Sequence, residues 1–137
     1  MSEPDKNKQD LDDQEQQGMR LEPQQLFDLA RQGVDVLLDL VDAGLPVDLA
    51  DEAGNTLLML AAYHGHADLT AGLAERGADV NRLNANNQAP LAGAIFKDEA
   101  DVIRVLVEHG ADLDAGTPSA RATAQMFGRE LPEPGAR

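Results

Sequence analysis

The sequence predicts an all-α protein built as a stack of helical repeats. Gly44, Gly77 and Gly110 stand 33 residues apart, and each closes an amphipathic stretch. The residues after them repeat as well: GADVN (Gly77 to Asn81) is echoed by GADLD (Gly110 to Asp114) and more loosely by GLPVD (Gly44 to Asp48). The register also holds inside each unit. Val36, Leu69 and Val102 are in step, as are Leu40, Leu73 and Leu106, and as are the polar Asp35, Asp68 and Asp101. A fixed period of this length marks an array in which each unit buries its apolar face against its neighbours. Such an array is a binding surface and brings no ready-made chemistry.

Residues 1–20 hold six acidic and three basic side chains and almost nothing apolar. They cannot bury enough surface to offset the entropy of ordering, so a disordered acidic tail is expected there. Helical patterning starts at Leu21, and Pro23 suits a first helical turn. Leu26, Phe27, Leu29 and Ala30 form an apolar face that Gly33 interrupts. A second helix should bury Val36, Leu37, Leu40 and Val41, and Gly44 ends it by taking the left-handed conformation. After the turn-rich stretch Val47 to Thr56, Thr56 is a good N-cap for a helix from Leu57 to about Tyr63. Gly65 breaks that helix, and another runs from about His66 to Arg76 with Leu69 and Leu73 inward. The third unit repeats the plan: Pro90 to Lys97, then Glu99 to His109.

Particular residues sharpen this reading. Asp98 stands where Gly65 stands one repeat earlier, and Asp tolerates the left-handed region better than most side chains. Thr70 faces the core beside aliphatic repeat mates, Leu37 and Ile103, and its hydroxyl can bond a carbonyl one turn back. Ala61 and Ala94 are in step and let helices approach closely. Thr117 is the expected N-cap of a last helix starting at Pro118, with Ala122, Met126 and Phe127 on its inner face and Gly128 at its end. Such a helix would cover the last repeat's apolar side. The expected organisation is an acidic tail over 1–20 and a repeat domain over 21–128. Within that domain fall units at about 21–50, 51–83 and 84–116 and a cap at 117–128, and a flexible tail follows over 129–137.

Composition narrows the function. The chain has 137 residues, net charge −14, no Trp and only 3% aromatics. Ala, Leu and Val do the filling, which suits thin, closely stacked helices. Nucleic acid and anionic membranes are poor partners for this charge, whereas a basic protein patch would be steered towards it. The charge serves solubility equally well. No Cys is present, so disulfides, thiolate metal sites and Cys nucleophiles are excluded. The N-terminal stretch lacks a signal-peptide core, and no segment has the length of a bilayer span, so a cytoplasmic protein is expected.

Motifs of chemistry are weak. His64 and His66 flank a glycine, yet a metal site needs three or four converging ligands. A fold-supporting His66 and an exposed His64 are expected, and haem ligation through His64 or Tyr63 lacks a pocket of large apolar residues. The only serines, Ser2 and Ser119, lie in no motif with a His. No phosphate loop is present, and the carboxylates are spread over helix faces and turns. No catalytic residue, metal or cofactor is expected.

The unit DEAGNTLLMLAAYHGHADLTAGLAERGADVN (Asp51 to Asn81) resembles the ankyrin repeat. The resemblance rests on Asp51, Gly54, Thr56, Leu58, Ala61, Ala62, Gly65–His66, Leu69, Leu73 and the closing Gly77 to Asn81. The next unit keeps Pro90, Leu91, Ala94, Val102 and Leu106. The signature tetrapeptide departs from the family, reading TLLM (Thr56 to Met59) and then APLA (Ala89 to Ala92), without its His. Since that Thr and His tie neighbouring turns together in the family, looser coupling is expected. The first unit is one residue shorter between its helices, and the brevity of the chain is similar to short bacterial members.

The resemblance implies β-turn fingers joined to antiparallel helix pairs, and a partner docked on fingertips and first helices. Carried over by position, the fingertip candidates are Glu52, Ala53, Asn55, Leu83, Ala85, Asn86 and Gln88. The helix candidates are Tyr63, His64, Phe96 and Lys97, with Arg31 and Gln32 in the first unit. Tyr63 and Phe96 are 33 apart and should point the same way, either as exposed anchors or packed on neighbouring helix ends. Lys97 either pairs with a partner's acid or is solvated. The expected function is a non-catalytic adaptor or inhibitor that binds a protein as a monomer. A self-stacking assembly protein is the alternative, and a metal- or haem-handling accessory the remote one.

Overall fold

The computed structural model describes residues 21–132. The tail expected over 1–20, and the last five residues of that expected over 129–137, lie outside the described residues. Among the described residues seven helices follow one another: α1 (Pro23–Gln32), α2 (Val36–Asp42), α3 (Leu57–Tyr63), α4 (Ala67–Glu75), α5 (Pro90–Lys97), α6 (Ala100–Glu108) and α7 (Ala120–Phe127). They form two rows. α1, α3, α5 and α7 pack in sequence as the first, and α2, α4 and α6 as the second, each helix also touching its own partner across the rows. Among the described residues there is no strand, only an isolated bridge between Ala50 and Thr56 at the base of a finger.

Local rules place the helix ends. Pro23 and Pro90 occupy first-turn positions, where a missing N–H costs nothing. The Thr56 hydroxyl accepts from Met59 N–H at 3.1 Å while almost completely buried, so the cap also removes a polar atom from the core. Gly44, Gly77 and Gly110 have φ of 118°, 94° and 89°, the left-handed turn the period predicted. Asp98 takes the same region at φ 59° and ψ 42°, where Gly65 sits at φ 82° one unit earlier. The Thr70 hydroxyl donates to His66 O at 2.8 Å, which explains how a fully buried Thr replaces an aliphatic residue.

The core runs between the rows. Every residue from Leu57 to Ala62 is buried, because α3 has α1 and α5 on its sides and α4 behind it. Ala61 and Ala94, both fully buried, lie at the close approaches. The first unit deviates from the expected face. Val36 is 41% exposed although Leu69 and Val102 are 1%, and Leu37 is buried in its place, with Leu40 and Val41 half-buried. Among the described residues α2 has one row neighbour, α4, so no described helix of the row packs on its other side.

The last helix also differs from expectation. Ser119, not Thr117, is the N-cap: its Oγ accepts from Ala122 N–H at 3.1 Å, and α7 begins at Ala120. Thr117 is engaged elsewhere, its N–H donating to Asn87 O at 2.8 Å as a continuation of the finger ladder. α7 packs on α5 through Ala120, Thr123 and Ala124, while Ala122 is half-buried and Met126 and Phe127 are exposed. Small residues therefore face α5, and the large ones emerge beside it.

Neighbouring units are joined without the signature His. Asp48 accepts from Asp79 N–H at 2.9 Å, and one repeat later Asn81 accepts from Asp112 N–H at 2.7 Å. The Ala85 N–H donates to Ala53 O at 2.8 Å between fingers. His66 Nε2–H reaches Arg31 O at 2.7 Å, joining the first two units in the fold-supporting role expected of it.

Candidate partner-binding groove

The fingers are shaped by side chains that imitate backbone. Asp51 Oδ1 accepts from the N–H groups of Ala53 and Asn55, both at 2.9 Å. One repeat later Asn84 Oδ1 accepts from Asn86 at 2.9 Å and Gln88 at 3.0 Å. Asn84 is buried, and its amide donates to Asn55 Oδ1 and Gln88 Oε1 at 2.9 and 2.8 Å. This amide cluster fixes two consecutive fingers to each other and leaves Asn86 and Gln88 exposed above it.

Between the fingers and the first-row helices lies a concavity of about 440 Å³. Its polar wall is Asn55, Asn84, Asn86 and Gln88. Its floor includes Met59, Leu60, Ala89, Pro90, Ala92 and Gly93. Tyr63 and Phe96 close it on the helix side, and Pro118, Thr123, Met126 and Phe127 form a wall towards α7. Tyr63 is 37% exposed, Phe96 53%, Phe127 47% and Met126 63%. The chain has one Tyr and three Phe, and three of these four rings border this space; Phe27 alone is in the core.

The rings are held in place. Phe96 meets Phe127 edge to face with centroids 5.6 Å apart. Tyr63 lies against Gly93, where a Cβ would come within 3.2 Å of its ring. Arg129 stacks over Phe127 at 5.0 Å and donates to the carbonyls of Ile95 and Phe96, fastening the end of α7 to the end of α5. Lys97 Nζ sits 5.0 Å from the Tyr63 ring centroid. His64, also edge-on to Tyr63, has its pKa lowered from 6.5 by partial desolvation, then by the charges of Lys97, His66 and Arg31.

Of the candidates named from sequence, Asn55, Tyr63, Asn86, Gln88 and Phe96 line the concavity. His64 and Lys97 border it through Tyr63. Glu52, Ala53, Leu83 and Ala85 are exposed on the finger segments outside it. Arg31 is drawn to Asp28 at 2.9 Å and Asp51 at 3.8 Å, and Gln32 is exposed at the end of α1; neither lines the space. Sequence reasoning missed the other lining residues, among them Met59, Asn84, Gly93, Met126 and Phe127. Gly93 could have been noticed as a mid-helix glycine, which is less favourable than Ala by about 1 kcal/mol and so signals a packing need. Among the described residues no group of three or more His, Asp or Glu is placed to hold a metal ion.

A family model described as ankyrin repeats (3 copies) matches residues 26–117. The chain belongs to the ankyrin-repeat family, whose repeats are generally protein–protein interaction modules and typically not catalytic. A protein of Pseudomonas aeruginosa named for its ankyrin repeats is 60% identical over 45 residues, 32% of this chain and 26% of its own. An ankyrin repeat-containing protein of Treponema pallidum is 36% identical over 102 residues, 71% of this chain and 34% of its own. A serine/threonine-protein kinase of Arabidopsis thaliana is 34% identical over 87 residues, 63% of this chain and 19% of its own. The chain thus spans about a third or less of the length of these relatives. No helix among the described residues is long and apolar enough to cross a membrane.

Proposed function

We propose that this protein is a non-catalytic adaptor or inhibitor that holds a protein partner in the concave groove. The observation that carries this reading is the placement of Tyr63, Phe96 and Phe127 around one concavity, partly exposed, in a chain with one further Phe and no further Tyr or Trp. Exposed aromatics bounded by polar side chains are the usual anchors of an interface. The amide wall supplies hydrogen bonds to main-chain groups of the partner. The module in this reading is the stretch 21–128, acting as a monomer. Carboxylates elsewhere on the surface accelerate encounter with a partner that carries a basic patch.

The test is capture from the native host's lysate with wild-type protein and a Tyr63→Ala/Phe96→Ala variant of equal helicity by circular dichroism. A protein retained by wild type and lost by the variant supports the groove. One retained equally by both removes it as the binding site.

A further inference from the structure

The groove is neutral where the rest of the chain is acidic. The sequence has 25 carboxylates against 11 Lys and Arg, yet among the described residues no Asp or Glu lines the concavity. The charges on its ring-bearing edge are cations, Lys97 over Tyr63 and Arg129 over Phe127. Arg129 is occupied by two carbonyls and lies 3.8 Å from Asp98. Lys97 is different: among the described residues it makes no ion pair, and its contact is the Tyr63 ring. The neighbouring acids are turned elsewhere. Asp98 faces Arg129, and the Glu99 carboxylate lies against Gly65. The pKa of His64 is lowered first by desolvation, and the charges that add to the shift, Lys97, His66 and Arg31, are all cationic.

From this charge pattern we infer that the groove takes an extended peptide segment with an apolar side chain followed by a carboxylate, and that Lys97 receives the carboxylate. This rests on the groove reading above and names the partner's chemistry within it. A large aliphatic or aromatic side chain packs against Phe96, Phe127 and Met126 from the open side of the concavity. The amides of Asn86 and Gln88 bond the peptide backbone. The carboxylate lies against Lys97 at the Tyr63 edge, where a basic segment would be repelled. The net negative charge of the whole protein does not cancel this preference. At physiological ionic strength screening acts over roughly 8 Å, so the nearest unpaired cation dominates at contact while distant carboxylates act only on approach. Long-range steering and local pairing therefore read different parts of a partner.

The experiment is selection from a displayed library of random dodecapeptides on the whole protein, on Lys97→Glu and on Tyr63→Ala/Phe96→Ala, each checked for equal helicity. Wild type should enrich peptides with a Leu- or Phe-class residue followed within a few positions by Asp or Glu. Lys97→Glu should keep the apolar residue and exchange the acid for Lys or Arg. The best wild-type peptide, remade with its acid as the amide, should bind wild type about threefold more weakly and Lys97→Ala unchanged, the magnitude of a partly exposed ion pair. Enrichment of Lys or Arg by wild type, or the same charge preference with and without Lys97, overturns the carboxylate while the groove reading stands. Peptides retained equally by Tyr63→Ala/Phe96→Ala, or no enrichment at all, overturn both.

Discussion

His66 shows how one side chain joins repeats. Its ring donates to Arg31 O at 2.7 Å and packs on Gly33, where a Cβ would fall 2.5 Å from the ring. His66→Ala should lower stability by about 1–3 kcal/mol, because a carbonyl loses its partner where the first unit docks on the second. A shift of the urea midpoint at unchanged slope checks this. His64 carries no such bond, and its expected exposure is what the structure has. Desolvation first and then Lys97 lower its pKa below 6.5. Its folded form binds a proton less readily than its unfolded form. Stability is therefore unaffected well above 6.5 and is lost as pH falls through 6.5 to the lowered value. Two results are expected: Lys97→Ala moves the His64 pKa part of the way back up in a proton NMR titration, and His64→Gln flattens the acid-side loss of stability. A His64 titration indifferent to Lys97→Ala would place the lysine elsewhere than over Tyr63.

The helices show where local rules suffice and where they do not. Thr56, Pro90 and Asp98 each have a conformational preference that acts within one turn, and the sequence placed all three correctly. Thr117 and Ser119 compete for one task, and the choice between them was not local. Thr117 is held by Asn87 of the preceding finger, so the cap falls to Ser119. Ser119→Ala should cost about 1 kcal/mol. It should also raise amide hydrogen exchange in α7 more than in α3, since among the described helices α7 packs chiefly on α5 whereas α3 packs on three. Because α7 supplies Met126 and Phe127 to the groove, the same variant should weaken partner capture. Unchanged exchange in α7 would show that the Arg129 bonds to Ile95 and Phe96 alone secure the helix.

Charge acts on the molecule as a whole. A net charge of −14 on 137 residues repels itself, and described ion pairs such as Arg104–Asp101 and Arg121–Asp114 are largely exposed. Surface pairs of this kind contribute about 0–1 kcal/mol each, so general repulsion should outweigh them. Raising sodium chloride from about 0.02 to about 0.3 M, which shortens the screening distance severalfold, should raise Tm by a few degrees. A falling Tm would mean that the specific pairs dominate. Lys97→Glu should lower Tm slightly at low salt and lose that deficit at high salt.

By itself the sequence determined the repeat, its period, the helix positions within the three units and the left-handed turns, because these follow from preferences that act within one turn and recur every 33 residues. It also placed Tyr63 and Phe96 on one side of adjacent units, since equal steps in an array give equal directions. The tertiary structure decided what the ends of the array do. Val36 is exposed because α2 has one row neighbour among the described residues, and Met126 and Phe127 are exposed because the small side chains of α7 face α5. Periodicity assigns an apolar side to a helix but cannot say whether a neighbour stands there. At the last helix, which among the described helices packs chiefly on α5, two expected core residues became a wall of the groove.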